Sequence, residues 1–256
     1  MPAEGSIAER AEAQWQALLT RRRGGTVPQG GALAELYGPL CAIAPGEDFA
    51  IAHLAQSLDG RIATTSGTSR WIPGEEDLRH THRLRALADA VIVGADTILH
   101  DDPLLTVRRC AGAHPARVVV DANRKLSAQH RVFTDPSAPT FVIAADDRGK
   151  GTTLGRAEIL RLPRENGIIA PRAIRAALAA RGLHWLFIEG GGVTISHFLR
   201  AGSLDRLHLT VAPMILGSGR PSLTLPEIAA PEFGLRPKIR RTALGEDMLF
   251  DCAFFD

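Results

Sequence analysis

The feature that most constrains the fold is the alternation, from Phe49 onward, of short apolar runs with segments whose apolar residues recur at helical spacing. The apolar runs have the length of buried strands and are predicted near Phe49–Ala55, Ala90–Gly94, Arg117–Asp121, Thr140–Ala144, Trp185–Glu189 and Arg206–Ala212. The helical segments are predicted near Gly74–Ala88, Pro171–Ala180 and Thr194–Ala201. Strand followed by helix, repeated along one chain, favours an α/β fold with a mainly parallel central sheet and helices on both faces.

The two ends of the chain depart from this alternation. From Ile7 to Arg23, apolar residues recur at helical spacing and two glycines follow, which predicts an amphipathic helix. A stretch with prolines and glycines then continues to about Glu47. At the other end, Ile239–Leu244 and Asp247–Phe254 flank a Gly-Glu pair, which predicts an antiparallel hairpin. We therefore expect residues 1–47 to form an N-terminal helical arm and linker, and residues 48–256 to form one domain.

Composition excludes several classes of protein. Of the 256 residues, 45% are hydrophobic and 23% are charged, which is typical of a globular domain rather than a disordered chain. The longest apolar runs fall far short of the ~20 residues that span a bilayer, and no signal-peptide pattern opens the sequence. Acids and bases are interspersed, so no nucleic-acid surface is indicated. Three cysteines without C-x-x-C spacing indicate neither a disulfide framework nor a cysteine zinc site, so we expect a cytoplasmic protein.

One strand-to-helix junction has the composition of a phosphate-binding turn. The predicted strand Trp185–Glu189 ends in a carboxylate and continues into Gly190, Gly191, Gly192, Val193 and Thr194. Glycines allow a ligand to approach the backbone, and the start of a helix presents free N–H groups and a positive dipole end to an anion. The same glycines also suit a tight turn that binds nothing. The pattern matches neither the G-x-G-x-x-G dinucleotide motif nor the G-x-x-x-x-G-K-[ST] nucleotide motif.

Two further polar loops follow predicted strands, where open α/β sheets bind ligands. The first runs from Ser57 to Arg61 and is followed by the polar segment Ser66–Ile72. The second contains Gly94–Thr97 and continues through Asp101–Arg108. An Asp-Gly turn in the first loop, and adjacent acids before a proline in the second, are also ordinary turn and cap chemistry. Together with Arg85, the second loop could instead bind an anionic substrate, because arginine binds phosphate in a bidentate way.

Taken together, the motifs resemble a known family. They are SLDGRIA, S-x-W-I, HRLRA-x-ADAVIVGA-x-T, DDP-x-LTVR, VVVD and EGGG-x-T, followed by FLRAG-x-x-D-x-LHL-x-VAP-x-x-LG. In this order they resemble the reductase domain of riboflavin-biosynthesis deaminase-reductases, which is similar in fold to dihydrofolate reductase. The resemblance runs from about Phe49 to Leu216, with a weaker match in the tail. It implies the NADPH-dependent reduction of a ribosylaminopyrimidine 5′-phosphate to its ribitylamino form, carried out by a homodimer.

The resemblance also implies roles for individual residues. NADPH would be contacted by Ala55, Trp71, Gly94, Thr97, Asp101 and the turn from Gly190 to His197. The substrate would be contacted by Ser69, Arg85, Leu105, Arg108 and Glu189. Our own prediction for the reaction itself names His53, Asp101 and Glu189. These roles are chemically coherent, because arginines suit a phosphate, a carboxylate accepts from amino or hydroxyl groups, and a glycine turn suits a pyrophosphate.

Three positions depart from the family pattern. His53 stands where the family usually has lysine, Pro73 where it usually has threonine, and Ala122 where it usually has serine. Histidine titrates near neutral pH, so His53 could donate a proton or act as a conditional cation toward the substrate. It could equally be a neutral residue that reshapes the pocket. These departures keep two alternatives open: a related reductase for another pyrimidine or pterin-like compound, and a non-catalytic nucleotide-binding module.

The remaining histidines give no indication of a metal site. The zinc signature H-x-E…P-C-x-x-C of the family's deaminase half is not found in the sequence, and neither is H-E-x-x-H. His80 and His82 are two apart on a predicted helix and so point to different sides. We therefore predict no metal site and interpret lone histidines such as His197 and His208 as packing or surface residues. Arg124 is either a partner of the cofactor's 2′-phosphate or a surface arginine.

Overall fold

The computed structural model describes residues 7–22, 30–68 and 72–255. The helices in these ranges are α1 (Ile7–Arg22), α2 (Ala32–Cys41), α3 (Glu75–Leu87), α4 (Ala95–Asp101), α5 (Arg131–Thr134), α6 (Pro171–Ala179) and α7 (Gly192–Arg200). The strands are β1 (Phe49–Ser57), β2 (Arg61–Thr64), β3 (Ala90–Gly94), β4 (Ala116–Val120), β5 (Thr140–Ala145), β6 (Thr153–Leu154), β7 (Ala157–Leu162), β8 (Arg164–Glu165), β9 (Ile168–Ile169), β10 (Trp185–Ile188), β11 (Arg206–Ala212), β12 (Gly219–Pro221), β13 (Lys238–Leu244) and β14 (Asp247–Ala253). No helix in the described ranges is both long and apolar enough to cross a membrane.

The strands assemble around one large sheet. Ten of the described strands lie in the order β13-β14-β11-β1-β10-β3-β4-β5-β7-β6. All neighbouring pairs from β11 to β7 are parallel, and antiparallel strands occupy the two edges. The predicted parallel sheet and the predicted C-terminal hairpin, formed by β13 and β14, are therefore confirmed. The strands and helices predicted from the apolar pattern are found close to their predicted bounds.

Helices cover both faces of the sheet, because side chains alternate between the faces along each buried strand. Ile51 and Val91 pack on one face, in an apolar cluster that includes residues of α1, α2 and α3. Ala52 and Ile92 pack on the other face, in a cluster that includes residues of α6 and α7. Each face of the sheet therefore has its own apolar core, and the ends of the strands remain available for a site.

The N-terminal helices α1 and α2 pack onto the first of these faces. Trp15 and Leu18 of α1 are fully buried, in the same apolar cluster as the sheet. The indole N–H of Trp15 donates to the carbonyl of Ala111 at 2.8 Å. Arg22 contacts the carboxylate of Asp89 at 3.2 Å. The apolar face of α1 thus covers the side of the sheet that α3 also covers.

Nine elements of the described residues have no counterpart in the sequence prediction, and most of them are short: α2, α4, α5, β2, β6, β7, β8, β9 and β12. Helix α2 contains Pro39, and a proline ordinarily marks a helix end. Helix α4 begins directly after β3 with Gly94 as its N-cap and no side-chain cap bond, so the usual start signal is missing. Strand β7 contains Glu158 and Arg161 among its apolar residues. It lies next to the sheet edge, where an exposed charged side chain such as that of Glu158 is tolerated.

Candidate active site

Two clefts open along the carboxyl ends of the parallel strands, the position at which α/β sheets bind ligands. The first, the glycine-turn cleft, has a volume of about 450 Å³ and is lined in part by Gly94–Thr97, Val120–Asn123 and Gly191–Thr194. The second, the histidine cleft, has a volume of about 360 Å³ and its lining includes His53, Asp77, Thr81, His82, Arg108 and Glu189. The loop after β10 serves both clefts, because Glu189 lines one and Gly191 lines the other.

The glycine turn combines a crowded position with an open one. Helix α7 begins at Gly192, and Gly191 is its N-cap. A Cβ atom on Gly192 would lie 2.0 Å from the carbonyl oxygen of Ser222, so no larger residue fits there. A Cβ atom on Gly191 would meet nothing within 4 Å. Gly192 is therefore required for packing, and Gly191 leaves the N-terminus of α7 accessible from the cleft.

The other residues that the resemblance assigns to the cofactor are distributed unevenly. The glycine-turn cleft is lined by Gly94, Thr97, Val193, Thr194 and His197 as well as by Gly191 and Gly192. Gly190 packs against Thr194, whose Cβ lies 3.1 Å from the place of a Cβ on the glycine. Ala55 lines the histidine cleft instead, and Asp101 is exposed at the end of α4, outside the lining of both clefts. Trp71 and Ser69 lie outside the described residues.

Lys125, rather than Arg124, reaches the glycine-turn cleft. Arg124 has a left-handed backbone with a φ of 56° and lies outside the lining of this cleft. Lys125 lines the cleft, and its Nζ lies 2.5 Å from the carboxylate of Asp96. Arg220 lines the cleft as well. The cleft therefore offers two cationic side chains to an anionic ligand.

A buried arginine–carboxylate pair forms one wall of the histidine cleft. Arg85 of α3 donates through Nε to Oε2 of Glu189 at 2.6 Å, and its Nη2 donates to the other carboxylate oxygen. The Arg85 side chain is 8% exposed. Burial by itself disfavours the charged guanidinium, but Glu189 outweighs this cost and raises the pKa of Arg85 above its ordinary value. Arg85 thus fixes both oxygens of Glu189 at the end of β10, and each oxygen keeps a lone pair for a further donor.

Side chains of α3 also hold the loop that carries Arg108. Nη1 of Arg85 donates to the carbonyl of Thr106 at 2.8 Å, and the backbone N–H of Arg108 donates to Nδ1 of His82 at 3.0 Å. Leu105 has a φ of 56° and its side chain is buried in the apolar core, so only its backbone can face a ligand. The Arg108 side chain is exposed, and its Nη1 donates to the hydroxyl of Thr106 at 2.7 Å. Of the two predicted substrate arginines, Arg108 keeps its charge free of any carboxylate contact in the described residues.

His82, which accepts a hydrogen bond from the loop that carries Arg108, is neutral. Burial and the positive charges of Arg85, Arg108 and Arg109 lower the pKa of His82 to about 3. Its Nδ1 accepts the N–H of Arg108, so the single ring proton of the neutral imidazole lies on Nε2. His82 therefore presents a donor and no charge near neutral pH.

His53 lies at the floor of the histidine cleft and is 6% exposed. Its Nε2 lies 3.0 Å from Oδ1 of Asp77 and 3.2 Å from the hydroxyl of Thr210. The Thr210 hydroxyl donates to the same Asp77 oxygen at 2.6 Å. Burial raises the pKa of Asp77, but the charge and hydrogen bond of His53 and the bond from Thr210 outweigh it, so the net pKa of Asp77 is lowered. Asp77 is therefore an ionised carboxylate beneath the cleft.

A second buried chain of polar groups runs behind His53. The hydroxyl oxygen of Tyr37 in α2 lies 2.6 Å from Nδ1 of His80, and Nε2 of His80 lies 3.0 Å from Nδ1 of His208. Nε2 of His208 lies 3.3 Å from a carboxylate oxygen of Asp251. The His80 ring stands edge-on to the ring of His53, with 5.0 Å between centroids. Burial lowers the pKa values of His80 and His208, so both are neutral near pH 7.

The buried groups were not found by sequence reasoning, because they come together only in the fold. Asp77 and Thr210 lie 24 and 157 residues from His53 along the chain. His80 and His82 have different surroundings, as their spacing predicts. His80 lies in the interior, and His82 lines the histidine cleft. The parallel pairing of β1 with β11 places His53 opposite His208. No local sequence motif predicts the pairing of β1 with β11.

The chain is similar to known proteins over most of its length. The model of the RibD C-terminal domain matches residues 48–249. A protein of Methanothermobacter thermautotrophicus named 2,5-diamino-6-ribosylamino-4(3H)-pyrimidinone 5′-phosphate reductase is 36% identical over 215 residues, which cover 79% of this chain and 96% of that protein. The riboflavin biosynthesis protein RibD of Aquifex aeolicus is 32% identical over 201 residues, which cover 76% of this chain and 54% of that protein. The chain thus spans about half the length of this bacterial relative.

Solved structures have the same fold. RibD of Acinetobacter baumannii, form 1, superposes with a TM-score of 0.71 at 25% identity, covering 87% of this chain and 63% of that chain. The riboflavin biosynthesis reductase Rib7 of Saccharomyces cerevisiae superposes with a TM-score of 0.70 at 19% identity, covering 88% of this chain and all of that one. The fold expected from the motifs is thereby confirmed. Since the family model also spans the sheet and both clefts, the chain belongs to the family of the RibD C-terminal domain.

Proposed function

We propose that this protein is a reductase that converts a ribosylaminopyrimidine 5′-phosphate to its ribitylamino form with NADPH. The observation that carries the proposal is the loop after β10, which places Glu189 in the histidine cleft and Gly191 in the glycine-turn cleft. A substrate held by the first cleft and a dinucleotide held by the second would meet at this loop. The relative from M. thermautotrophicus, named as a reductase of such a substrate, supports the assignment.

The glycine-turn cleft fits NADPH. The N-terminus of α7 is open at Gly191 and suits the pyrophosphate. Lys125 and Arg220 supply positive charge for the 2′-phosphate, which distinguishes NADPH from NADH. When bound, NADPH supplies the hydride that the reaction needs.

The reaction opens the ribose ring. A hydride forms a new C–H bond at C1′, the bond between C1′ and the ring oxygen breaks, and one proton goes to that oxygen. The substrate is reduced and NADPH is oxidised, so the balance requires one proton from the solvent or from a side chain. The protein's task is to hold the reacting carbon and to deliver this proton.

The histidine cleft supplies both functions. The exposed Arg108 binds the 5′-phosphate, and the oxygens of Glu189 accept hydrogen bonds from substrate amino or hydroxyl groups. Arg85 acts on the substrate through Glu189, whose position it fixes. His53 lies at the floor and supplies the proton to the ring oxygen. We assign Asp101 no step, because it lies outside the lining of both clefts.

Two further properties belong to the proposal. The family resemblance implies a homodimer, and the outer strand β13, whose side chains are mostly exposed, offers an edge at the end of the sheet. The cysteine usage of the sequence supports a cytoplasmic enzyme. Sedimentation equilibrium of the purified protein tests the first property, since a monomer at all concentrations would contradict it.

The direct test follows NADPH oxidation with two pyrimidine substrates and one pterin. The pyrimidines are 2,5-diamino-6-ribosylamino-4(3H)-pyrimidinone 5′-phosphate and 5-amino-6-(5-phosphoribosylamino)uracil, the compounds in the names of related proteins. The pterin is dihydrofolate. We expect turnover with a phosphorylated pyrimidine and none with dihydrofolate. Turnover with dihydrofolate alone would favour the pterin alternative, and NADPH binding without any turnover would favour the binding module.

A further inference from the structure

We propose that Asp77 and Thr81 are positioning residues that hold His53 so that its Nδ1, and not its Nε2, gains and loses the proton used in the reaction. This inference rests on the proposed function, because it specifies how the proton donor of that reaction is held. A neutral histidine carries its one ring proton on either nitrogen, so the partners of the two nitrogens decide which of them exchanges a proton.

The surroundings of Nε2 fix one ring proton. The Asp77 carboxylate is 1% exposed and is ionised, so it can only accept hydrogen bonds. Its Oδ1 lies 3.0 Å from Nε2 of His53 and accepts the Thr210 hydroxyl at 2.6 Å. Because the Thr210 proton is used on Asp77, Thr210 can only accept from Nε2, which lies 3.2 Å away. Nε2 therefore carries a proton in both charge states, and Nδ1 is the nitrogen that is left to gain or lose one.

The surroundings of Nδ1 suit a nitrogen with or without a proton. The Thr81 hydroxyl oxygen lies 3.2 Å from Nδ1 of His53 and 3.2 Å from the backbone carbonyl oxygen of Asp77. When Nδ1 has no proton, the Thr81 hydroxyl donates to it. When Nδ1 is protonated, it donates to the Thr81 oxygen, and the hydroxyl proton turns to the Asp77 carbonyl. No group loses its hydrogen bond in either state, so the charge change avoids the cost of an unpaired buried donor or acceptor.

The Thr81 hydroxyl is in contact with Nδ1 of His53, at the cleft itself. Thr81, Asp77 and His53 all line the histidine cleft. The Thr81 hydroxyl can therefore relay a proton from His53 to a substrate oxygen. It donates its own proton to the substrate oxygen and accepts the proton of Nδ1. The atoms balance, since the hydroxyl ends as it began and His53 ends neutral. The substrate oxygen receives one proton.

The other charged and titratable groups around His53 do not take over the role of Asp77. His80 from α3 and His208 from β11 face His53 and are neutral, because burial lowers their pKa values. Asp247 of β14 lies near Asp77, and its pKa is raised by burial and by the charge of Asp77.

On the cleft side the charged groups are arginines and one paired acid. Arg108 and Arg109 line the cleft, and Glu189 is already paired with Arg85. Among the described residues, Asp77 is the carboxylate that contacts the His53 ring.

The first experiment determines the tautomer of His53 in solution by two-dimensional NMR of 15N-histidine-labelled protein, with His53→Gln to assign the signals. At high pH we expect neutral His53 to carry its proton on Nε2, with titration at Nδ1 on acidification. In Thr81→Val, the neutral form should be favoured and the titration should move to lower pH. A neutral form protonated on Nδ1 would overturn the proposal. This result does not depend on turnover, so it is distinguishable from failure of the proposed function.

The second experiment measures kcat and KM against pH with NADPH and the pyrimidine phosphate. Thr81→Val should lower kcat by roughly tenfold or more with little change in KM, because a hydrogen bond to a charged group is lost. Thr81→Ser should restore most of kcat. Asp77→Asn should move the alkaline loss of kcat/KM to lower pH, because the cationic imidazole loses its carboxylate.

Thr210→Val is the matched control, because its hydroxyl touches the same carboxylate but not Nδ1. It should lower kcat less than Thr81→Val does, because the Asp77 carboxylate still accepts the Nε2 proton and the Thr81 hydroxyl remains on Nδ1. Equal changes in the two threonine variants would overturn the role of Thr81. An unchanged profile in Asp77→Asn, with the variant folded, would overturn the role of Asp77.

Discussion

The two clefts lie at the same edge of one sheet, yet they are built by different means. The lining of the glycine-turn cleft includes the segments that directly follow β3, β4 and β10. The lining of the histidine cleft includes residues of β1, α3, the loop after α4 and the loop after β10, and charged groups are paired at its floor and wall. A site built on turns depends on local turn geometry, whereas a site with buried charges depends on every partner being present.

The difference predicts where each cleft is vulnerable. Loss of one partner in the histidine cleft leaves a charge without its counterpart in a poorly solvated place, which affects the whole fold. Loss of an exposed side chain in either cleft affects binding alone. The predictions below test this contrast from the largest expected effect to the smallest.

The largest effect is expected for Arg85→Ala. Its removal leaves Glu189 without its bidentate partner, and breaking a buried pair typically costs about 3–5 kcal/mol. We expect the lower end of this range in the free energy of unfolding from urea titration, because the Glu189 side chain is 22% exposed. The matched variant Arg108→Ala should keep wild-type stability and raise KM roughly tenfold to a hundredfold. Equal losses of stability in both variants would erase the distinction between the two arginines.

The second comparison concerns adjacent glycines of the turn. Gly192→Ala places a Cβ atom 2.0 Å from the Ser222 carbonyl, so the turn must shift, at a cost of about 1–3 kcal/mol in unfolding free energy. NADPH affinity, measured by fluorescence titration, should fall with it. Gly191→Ala meets nothing within 4 Å and should change the stability by less than about 0.5 kcal/mol. An unchanged unfolding free energy in Gly192→Ala would contradict the close packing of the turn against Ser222.

The third prediction concerns acid stability. Four histidines of the described residues have folded-state pKa values below the ordinary value of 6.5, namely His80, His82, His197 and His208, so the unfolded chain binds protons first as the pH falls. Their contribution is fully present above pH 6.5 and is lost below it, at up to about 1.4 kcal/mol per pH unit for each group. The lowered pKa values of Asp77 and Asp251 act nearer the carboxyl value of 3.8 and leave this window unaffected. Urea unfolding between pH 7 and 5 measures the slope.

The control for this slope is an exposed histidine. His100→Gln should keep the slope, because His100 is exposed in α4. His80→Gln should reduce it by about one histidine's share. A stability that stays constant from pH 7 to 5 in the wild-type protein would contradict the buried neutral histidines.

The smallest effect is expected in the glycine-turn cleft. Lys125→Ala should weaken NADPH binding about fivefold and leave NADH binding unchanged, because the side chain is half-exposed and shares its charge with Asp96. Arg124→Ala should change neither, since it lies outside the lining of this cleft. Calorimetric titration with both dinucleotides decides between the two residues. Loss of NADPH preference in Arg124→Ala alone would reverse the assignment.

Much of the architecture was predictable, because strands and turns leave local patterns. The buried strands of the parallel sheet are short apolar runs, and the glycine-rich junction after β10 has its turn chemistry in consecutive residues. Helix α4 and strand β7 were missed for equally local reasons: one lacks a capping side chain, and the other carries charges near an edge. The motifs that carry the family resemblance were also visible, because each of them is a continuous stretch of the chain.

The sequence by itself determined the sheet, the glycine turn and the family, since periodicity and consecutive motifs encode them. Only the tertiary structure decided that Arg85 is hydrogen-bonded to Glu189. It also decided that Asp77 and Thr81 contact His53, and that His80 lies against His208. These pairings join residues on different elements, and their distances follow from strand order. Because β1 lies between β10 and β11, His53 faces both α3 and β11, and its hydrogen-bond partners come from those two elements.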